Sequence, residues 1–215
     1  MKEDSIRFIN RHKIIAIARG LRPEDMVNTA KALYDGGIRL LEITFNQSSP
    51  SCMEDTIKSI KLVCAAMGSR MMVGAGTVLT VEQATVAKEA GAVFILAPNV
   101  DIPVIRESNR MGMVSIPGAM TPTEACTAYN AGADFIKIFP AGALGLDYLK
   151  AVMVPLNHIP MYAVGGVDED NIRDYFSIGL KGVGIGSNIV KRSLIEAENF
   201  SSITALAKRY TDAIQ

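Results

Sequence analysis

Eight short apolar runs, rich in β-branched residues, recur along the chain, and a segment with helical spacing follows each. They are IIAIA at 14–18, LLEITF at 40–45, MMVGA at 71–75, VFILA at 93–97, MVSIPG at 113–118, FIKIF at 135–139, MYAV at 161–164 and GVGI at 182–185. Between them, apolar residues fall at helical spacing, as in Met26, Ala30 and Leu33 or Ile57, Ile60 and Cys64. Thr80-Val-Glu-Gln83 and Thr121-Pro-Thr-Glu124 both fit a capping box, and Ser49-Pro50 and Asp168 are further N-cap candidates. Gly36-Gly37, Gly68, Gly91, Gly112, Gly132 and Gly179 each stand just before the next strand, where a left-handed residue closes a helix. Eight strand–helix units of about 27 residues make a parallel sheet, and closing them predicts a (β/α)8 TIM barrel, one domain over 1–215. An open doubly wound sheet would carry a glycine fingerprint after its first strand, but the chain there reads ARGLRPED. Residues 2–12 are expected to form an extra helix under the barrel.

Composition excludes several function classes. The 215 residues are 49% hydrophobic, with 22 basic against 22 acidic side chains and no low-complexity tract, which excludes a disordered chain. No excess of Lys and Arg supplies what a nucleic-acid backbone requires, so no nucleic-acid partner is expected. Only His12 and His158 are present, which leaves little for a histidine metal site, and neither a metal nor a cofactor is expected. Cys52, Cys64 and Cys126 are odd in number and follow no CxxC spacing, as in a reduced cytoplasmic protein. The start, MKEDSIRFINRHK, has no apolar stretch, and no run reaches the ~20 residues of a membrane span. A soluble cytoplasmic protein with neither signal peptide nor membrane partner is expected.

Barrel strands are buried on both faces, so a charge in mid-strand is costly unless it is paired or used. Alternation puts Leu40, Glu42 and Thr44 on one face of the second strand and Leu41, Ile43 and Phe45 on the other. In the sixth, Phe135, Lys137 and Phe139 oppose Ile136 and Ile138. The wholly apolar faces belong against the helices, which sends Glu42 and Lys137 into the barrel. Two readings stand: a buried ion pair that satisfies itself, or a desolvated lysine that becomes a nucleophilic amine with a carboxyl to move protons.

Position favours the second reading. Active sites of this fold gather at the C-terminal ends of the strands, and phosphate sites follow strands seven and eight. Strand seven runs into Gly165-Gly166 and strand eight into Gly186-Ser187, where backbone N–H groups can approach a phosphate and Ser187 is expected at a helix N-terminus. At the same rim stand Arg19, a candidate grip for a carboxylate or phosphate, and Thr77, which can donate to a bound acid. Pro98, in the turn Ala97-Pro98-Asn99, is expected to shape the pocket.

In order, LLEITFN, VGAGTVLT, LAPN, SIPGAMTPTEA, AGADFIKIFPAGALG, AVGGV and GIGS resemble the bacterial 2-keto-3-deoxy-6-phosphogluconate aldolase family, over about residues 14–190. These class I aldolases also act on 4-hydroxy-2-oxoglutarate and include a phosphogalactonate branch. The resemblance implies a Schiff-base lysine at Lys137, a glutamate acid/base at Glu42, and Thr77 on the pyruvate carboxylate. It implies phosphate-binding groups at Gly165, Gly166, Gly186 and Ser187, in a metal-independent homotrimer. The expected reaction is cleavage of a phosphorylated 2-keto-3-deoxy acid to pyruvate and glyceraldehyde 3-phosphate. Asn46 replaces an arginine usual in phosphogluconate-type members, and Val164 a threonine, so the chain looks more like the phosphogalactonate branch. A phosphate-binding barrel isomerase or synthase, or a non-catalytic sugar-phosphate-binding scaffold, are the alternatives.

Overall fold

The computed structural model describes residues 2–214. Its strands are β1 Ile14–Ala18, β2 Leu40–Thr44, β3 Met72–Gly76, β4 Phe94–Leu96, β5 Val114–Ile116, β6 Gly118–Ala119, β7 Ile136–Ile138, β8 Met161–Val164 and β9 Gly182–Ile185. The first helices are α1 Lys2–His12, α2 Pro23–Asp35, α3 Cys52–Met67, α4 Val81–Ala90, α5 Ile102–Arg110 and α6 Pro122–Asn130. The remainder are α7 Ala141–Leu144, α8 Leu146–Met153, α9 Ile172–Ser177, α10 Arg192–Glu196 and α11 Phe200–Ala213. All strand pairings are parallel, in the order β5-β4-β3-β2-β1-β9-β8-β7-β6.

The ninth strand arises because the fifth run is divided at Pro117. Proline has no N–H to donate to a ladder, so pairing lapses there. Gly118 N–H turns instead to the Asn99 carbonyl at 3.2 Å. The neighbouring strand still docks on both sides of the break: Phe135 N–H donates to Ser115 O at 3.3 Å and Lys137 N–H to Pro117 O at 2.9 Å. The two ends of the sheet are thus halves of one strand, and the barrel closes through it.

Alternation sorts the core into two layers. Ile15, Leu40, Phe94, Val114, Phe135 and Tyr162 fill the barrel, while Ile14, Leu41, Ile43, Val73, Ile136 and Ile138 pack outward on the helices. Glycines make room for the large rings inside: a Cβ at Gly74 would lie 2.2 Å from Phe94, and one at Gly182 would lie 2.1 Å from Tyr162. Helix α1 closes the bottom as expected, burying Ile9 among these rings and accepting a 3.3 Å hydrogen bond from the Tyr162 hydroxyl at its carbonyl. No helix among the described residues is long and apolar enough to cross a membrane.

The local punctuation holds with four exceptions, one of them the Thr80–Gln83 box, of which only the half from Gln83 N–H to Thr80 Oγ1 is made. The glycines that end helices, Gly37, Gly68, Gly91, Gly112, Gly132 and Gly179, all have positive φ, and the Thr121–Glu124 capping box is complete. Helix α3, however, starts after Ser51 rather than at Ser49-Pro50. Asp168 caps no helix. It holds the turn before α9, accepting from Asp170 and Asn171 N–H at 3.0 and 2.9 Å. Ser187 lies in a turn folded back onto the Gly186 carbonyl, and the next helix begins only at Arg192, so it stands at no helix N-terminus.

Candidate active site

The register of β2 sets Glu42 between Ile17 and Gly74, and that of β7 sets Lys137 between Gly118 and Tyr162. Both face the barrel interior, 1% and 5% exposed. A Cβ at Gly76 would fall 1.7 Å from Glu42 Oε1, so β3 carries glycine where the carboxyl needs the space. Among the described residues no ion pair within 4.0 Å joins Glu42 to Lys137, and Glu42 Oε2 is buried with no hydrogen-bond partner. The self-satisfied ion pair is therefore not what these side chains make.

Burial dominates the chemistry of both groups. Desolvation pushes the Glu42 carboxyl above the usual carboxylate range, against the pull of Lys137 and Arg19. Desolvation likewise holds the Lys137 ammonium below its ordinary value; Glu42 opposes this and Arg19 reinforces it. The site thus biases both side chains toward their neutral forms, an amine able to attack a carbonyl and a carboxyl able to give and take a proton. The Phe139 ring lies with its centroid 4.8 Å from Lys137 Nζ and covers the amine on one side.

Lys137 opens into a cavity of about 370 Å³ that Arg19, Phe139, Val164, Gly165, Gly166, Gly186, Ser187 and Arg192 help to line. Gly165 and Gly166 have φ of 86° and 82°, and a Cβ on Gly166 would meet the backbone of Gly142 at 2.8 Å. Asn188 ties the two glycine turns together, donating from Nδ2 to Val167 O at 2.8 Å. A Cβ at Gly186 would meet nothing closer than Ile17 at 4.0 Å, so packing leaves this wall open. The result is a concave, glycine-walled cradle of the kind that receives a phosphate.

Arg19 reaches the rim, where Nη2 donates to Thr77 Oγ1 at 3.4 Å. Thr77 has φ of 56°, a left-handed conformation that a β-branched residue adopts only when its surroundings impose it. A glutamine relay does so. Gln47 Nε2 donates to Thr77 O at 2.9 Å, Gln83 Nε2 donates to Gln47 Oε1 at 3.0 Å, and Leu79 N–H donates to Gln83 Oε1 at 2.7 Å. The sequence singled out Gln83 only as part of a capping box, whose reciprocal half is unmade because its side chain serves this relay. Neither Thr77 nor Pro98 lines the cavity itself. Pro98 is exposed on the rim, and its carbonyl would lie 2.4 Å from a Cβ at Gly118. Asn46 faces a second cavity of about 370 Å³ between α2 and α3, with Ala18, Gly20 and Thr44. Among the described residues no cluster of three or more His, Cys, Asp or Glu is placed to hold a metal ion.

A closed (β/α)8 barrel with a desolvated lysine amine at mid-strand, a carboxyl buried beside it and a glycine cradle at the same rim belongs to the class I aldolases. Known proteins narrow the class. The family description "KDPG and KHG aldolase" matches residues 6–206, and the chain belongs to this family. It is 36% identical over 203 residues to the 2-dehydro-3-deoxy-6-phosphogalactonate aldolase of Escherichia coli K12, covering 94% of this chain and 96% of that protein. A solved native KDPGal structure superposes with a TM-score of 0.84 at 35% identity, over 94% of this chain and 93% of the other. The KDPG aldolase of Legionella pneumophila, with pyruvate captured at low pH as a covalent carbinolamine intermediate, superposes with a TM-score of 0.82 at 29% identity, over 92% and 93%.

Proposed function

We propose that this aldolase reversibly cleaves 2-keto-3-deoxy-6-phosphogalactonate to pyruvate and glyceraldehyde 3-phosphate, with Lys137 as nucleophile and Glu42 as acid/base. The observation that carries the reading is the burial of Lys137, which favours its amine form at the floor of the cavity. The amine adds to the C2 ketone, and the carbinolamine, protonated by Glu42, loses water to give a protonated imine. The C3–C4 bond then breaks with its electrons entering the imine, while Glu42, directly or through a water, takes the C4 hydroxyl proton. Glyceraldehyde 3-phosphate leaves. The enamine is protonated at C3, and water hydrolyses the imine to pyruvate and free Lys137.

The remaining side chains hold the two anionic ends. Arg19 and Thr77 take the carboxylate, backbone N–H groups around Gly165, Gly166 and Gly186 with the Ser187 hydroxyl take the phosphate, and the Pro98 turn shapes the rim. Binding at the phosphate positions the reacting centre at C2–C4. Asn46 and Val164, together with the likeness to a phosphogalactonate aldolase, support the galacto configuration at C4. The proposal includes a cytoplasmic homotrimer whose 1–215 chain is one catalytic domain.

Borohydride reduction with pyruvate tests the covalent step: a pyruvate adduct is expected on Lys137, and its absence there overturns the mechanism. Lys137→Arg should abolish turnover in an assay coupling pyruvate release to lactate dehydrogenase, with the barrel still folded. The same assay on the two C4 epimers reads the substrate. Faster cleavage of the phosphogluconate-derived epimer refutes the galacto assignment.

A further inference from the structure

Among the described residues the cavity is lined by three cations, Lys137, Arg19 and Arg192, and by no carboxylate. In the proposed reaction Lys137 becomes the imine and Arg19 serves the carboxylate end beside Thr77. Arg192 has no part in that scheme, and it lines the same cavity as the glycine cradle. It opens α10, directly after the turn that carries Gly186 and Ser187.

Its geometry suits an anion. Arg192 Nε donates to Glu196 Oε1 at 2.8 Å, one helical turn along. A guanidinium carries five N–H donors in a rigid fork. The bond to Glu196 anchors one side, and among the described residues the terminal Nη edge makes no hydrogen bond. The Arg192 side chain is 71% exposed, which leaves the fork accessible to an incoming ligand. The cradle orients a phosphate through partial charges only, whereas a phosphate monoester carries about −1.5 to −2 charges at neutral pH. An arginine fork meets two phosphate oxygens at once, which a lysine point charge does not.

We propose that Arg192 is the charge-bearing member of the phosphate subsite and sets the preference of this aldolase for a phosphorylated over an unphosphorylated 2-keto-3-deoxy acid. The inference rests on the proposed function, and it deepens that reading by naming what recognises the substrate's far end. Glu196 positions the fork without entering the cavity.

The test compares kcat/KM of the full chain for 2-keto-3-deoxy-6-phosphogalactonate and for the same acid without phosphate. Arg192→Ala should lower the ratio of the two constants at least tenfold, mainly through KM of the phosphorylated acid. Arg192→Lys should fall between wild type and Arg192→Ala, because it keeps the charge and loses the fork. A ratio that stays within twofold of wild type in Arg192→Ala overturns the inference. Calorimetric titration with inorganic phosphate, with and without Arg192→Ala, keeps the two readings apart. If the wild-type chain cleaves neither acid, the proposed function fails, while weaker phosphate binding in the variant still supports Arg192 and equal binding overturns it.

Discussion

A buried lysine and a buried carboxyl that make no direct pair influence each other through a low-dielectric interior, and this has a measurable sign. The Glu42 carboxylate favours the Lys137 ammonium, while burial and the Arg19 charge disfavour it. Glu42→Gln removes the upward pull, so the Lys137 pKa falls and the amine persists to lower pH. The pH limb of imine trapping by borohydride with pyruvate should therefore move to lower pH in Glu42→Gln, although trapping is slower throughout because the carbinolamine has lost its acid. In Arg19→Met, which removes a cation, it should retreat to higher pH. A limb that moves upward in Glu42→Gln would contradict the electrostatic account. Glu42 and Lys137 were legible in the sequence because alternation is local: one charged residue among apolar ones in a short run declares its own face. Gln47, Gln83 and Arg192 were not. Each is an ordinary polar residue in its local context, and its place near the site arises only because loops distant in sequence meet at the barrel rim.

At the scale of elements, a strand's small residues matter as much as its reactive ones. Gly76 at the end of β3 leaves the volume that the Glu42 carboxyl fills, with the Cγ and Cδ atoms 2.6 and 2.4 Å from where a Cβ would stand. Gly76→Ala should displace that carboxyl from its place near Lys137 and lower kcat by about a hundredfold, since misplacement by an ångström costs that much. The circular dichroism spectrum should be preserved, because the three atoms nearest that Cβ all belong to the Glu42 side chain. A variant with full kcat would show that the glycine does not position Glu42. The strands and helices themselves were largely readable, from period-two apolar runs and from the glycines that end the helices. What failed was detail that depends on neighbours. Pro117 divides a strand that reads as continuous, because the loss of one donor matters only once a ladder is drawn. Ser187 was expected to begin a helix, but the chain first turns back on the Gly186 carbonyl.

For the whole molecule, the site costs stability. Glu42 has its folded pKa raised, so it opposes folding as pH rises above its unfolded value. Lys137 has its folded pKa lowered, so it opposes folding at every pH below its unfolded value. Near neutral pH both penalties apply. Replacing both groups together, Glu42→Gln with Lys137→Met, should stabilise the barrel by about 1–4 kcal/mol while abolishing turnover. A denaturant midpoint that falls in the double variant would show that the two charges support the fold. The sequence by itself determined the alternation of strands and helices, the bottom helix, and the inward parity of Glu42 and Lys137. Those properties are set by the Cβ direction and the capping chemistry of residues a few positions apart. Only the tertiary structure decided that the barrel closes across Pro117, that the carboxyl and the amine stay unpaired, that a glutamine relay holds Thr77 in a strained turn, and that Arg192 lines the same cavity as the two glycine turns. These are distances between segments far apart in the chain, fixed by strand register and barrel closure, and no local pattern encodes them.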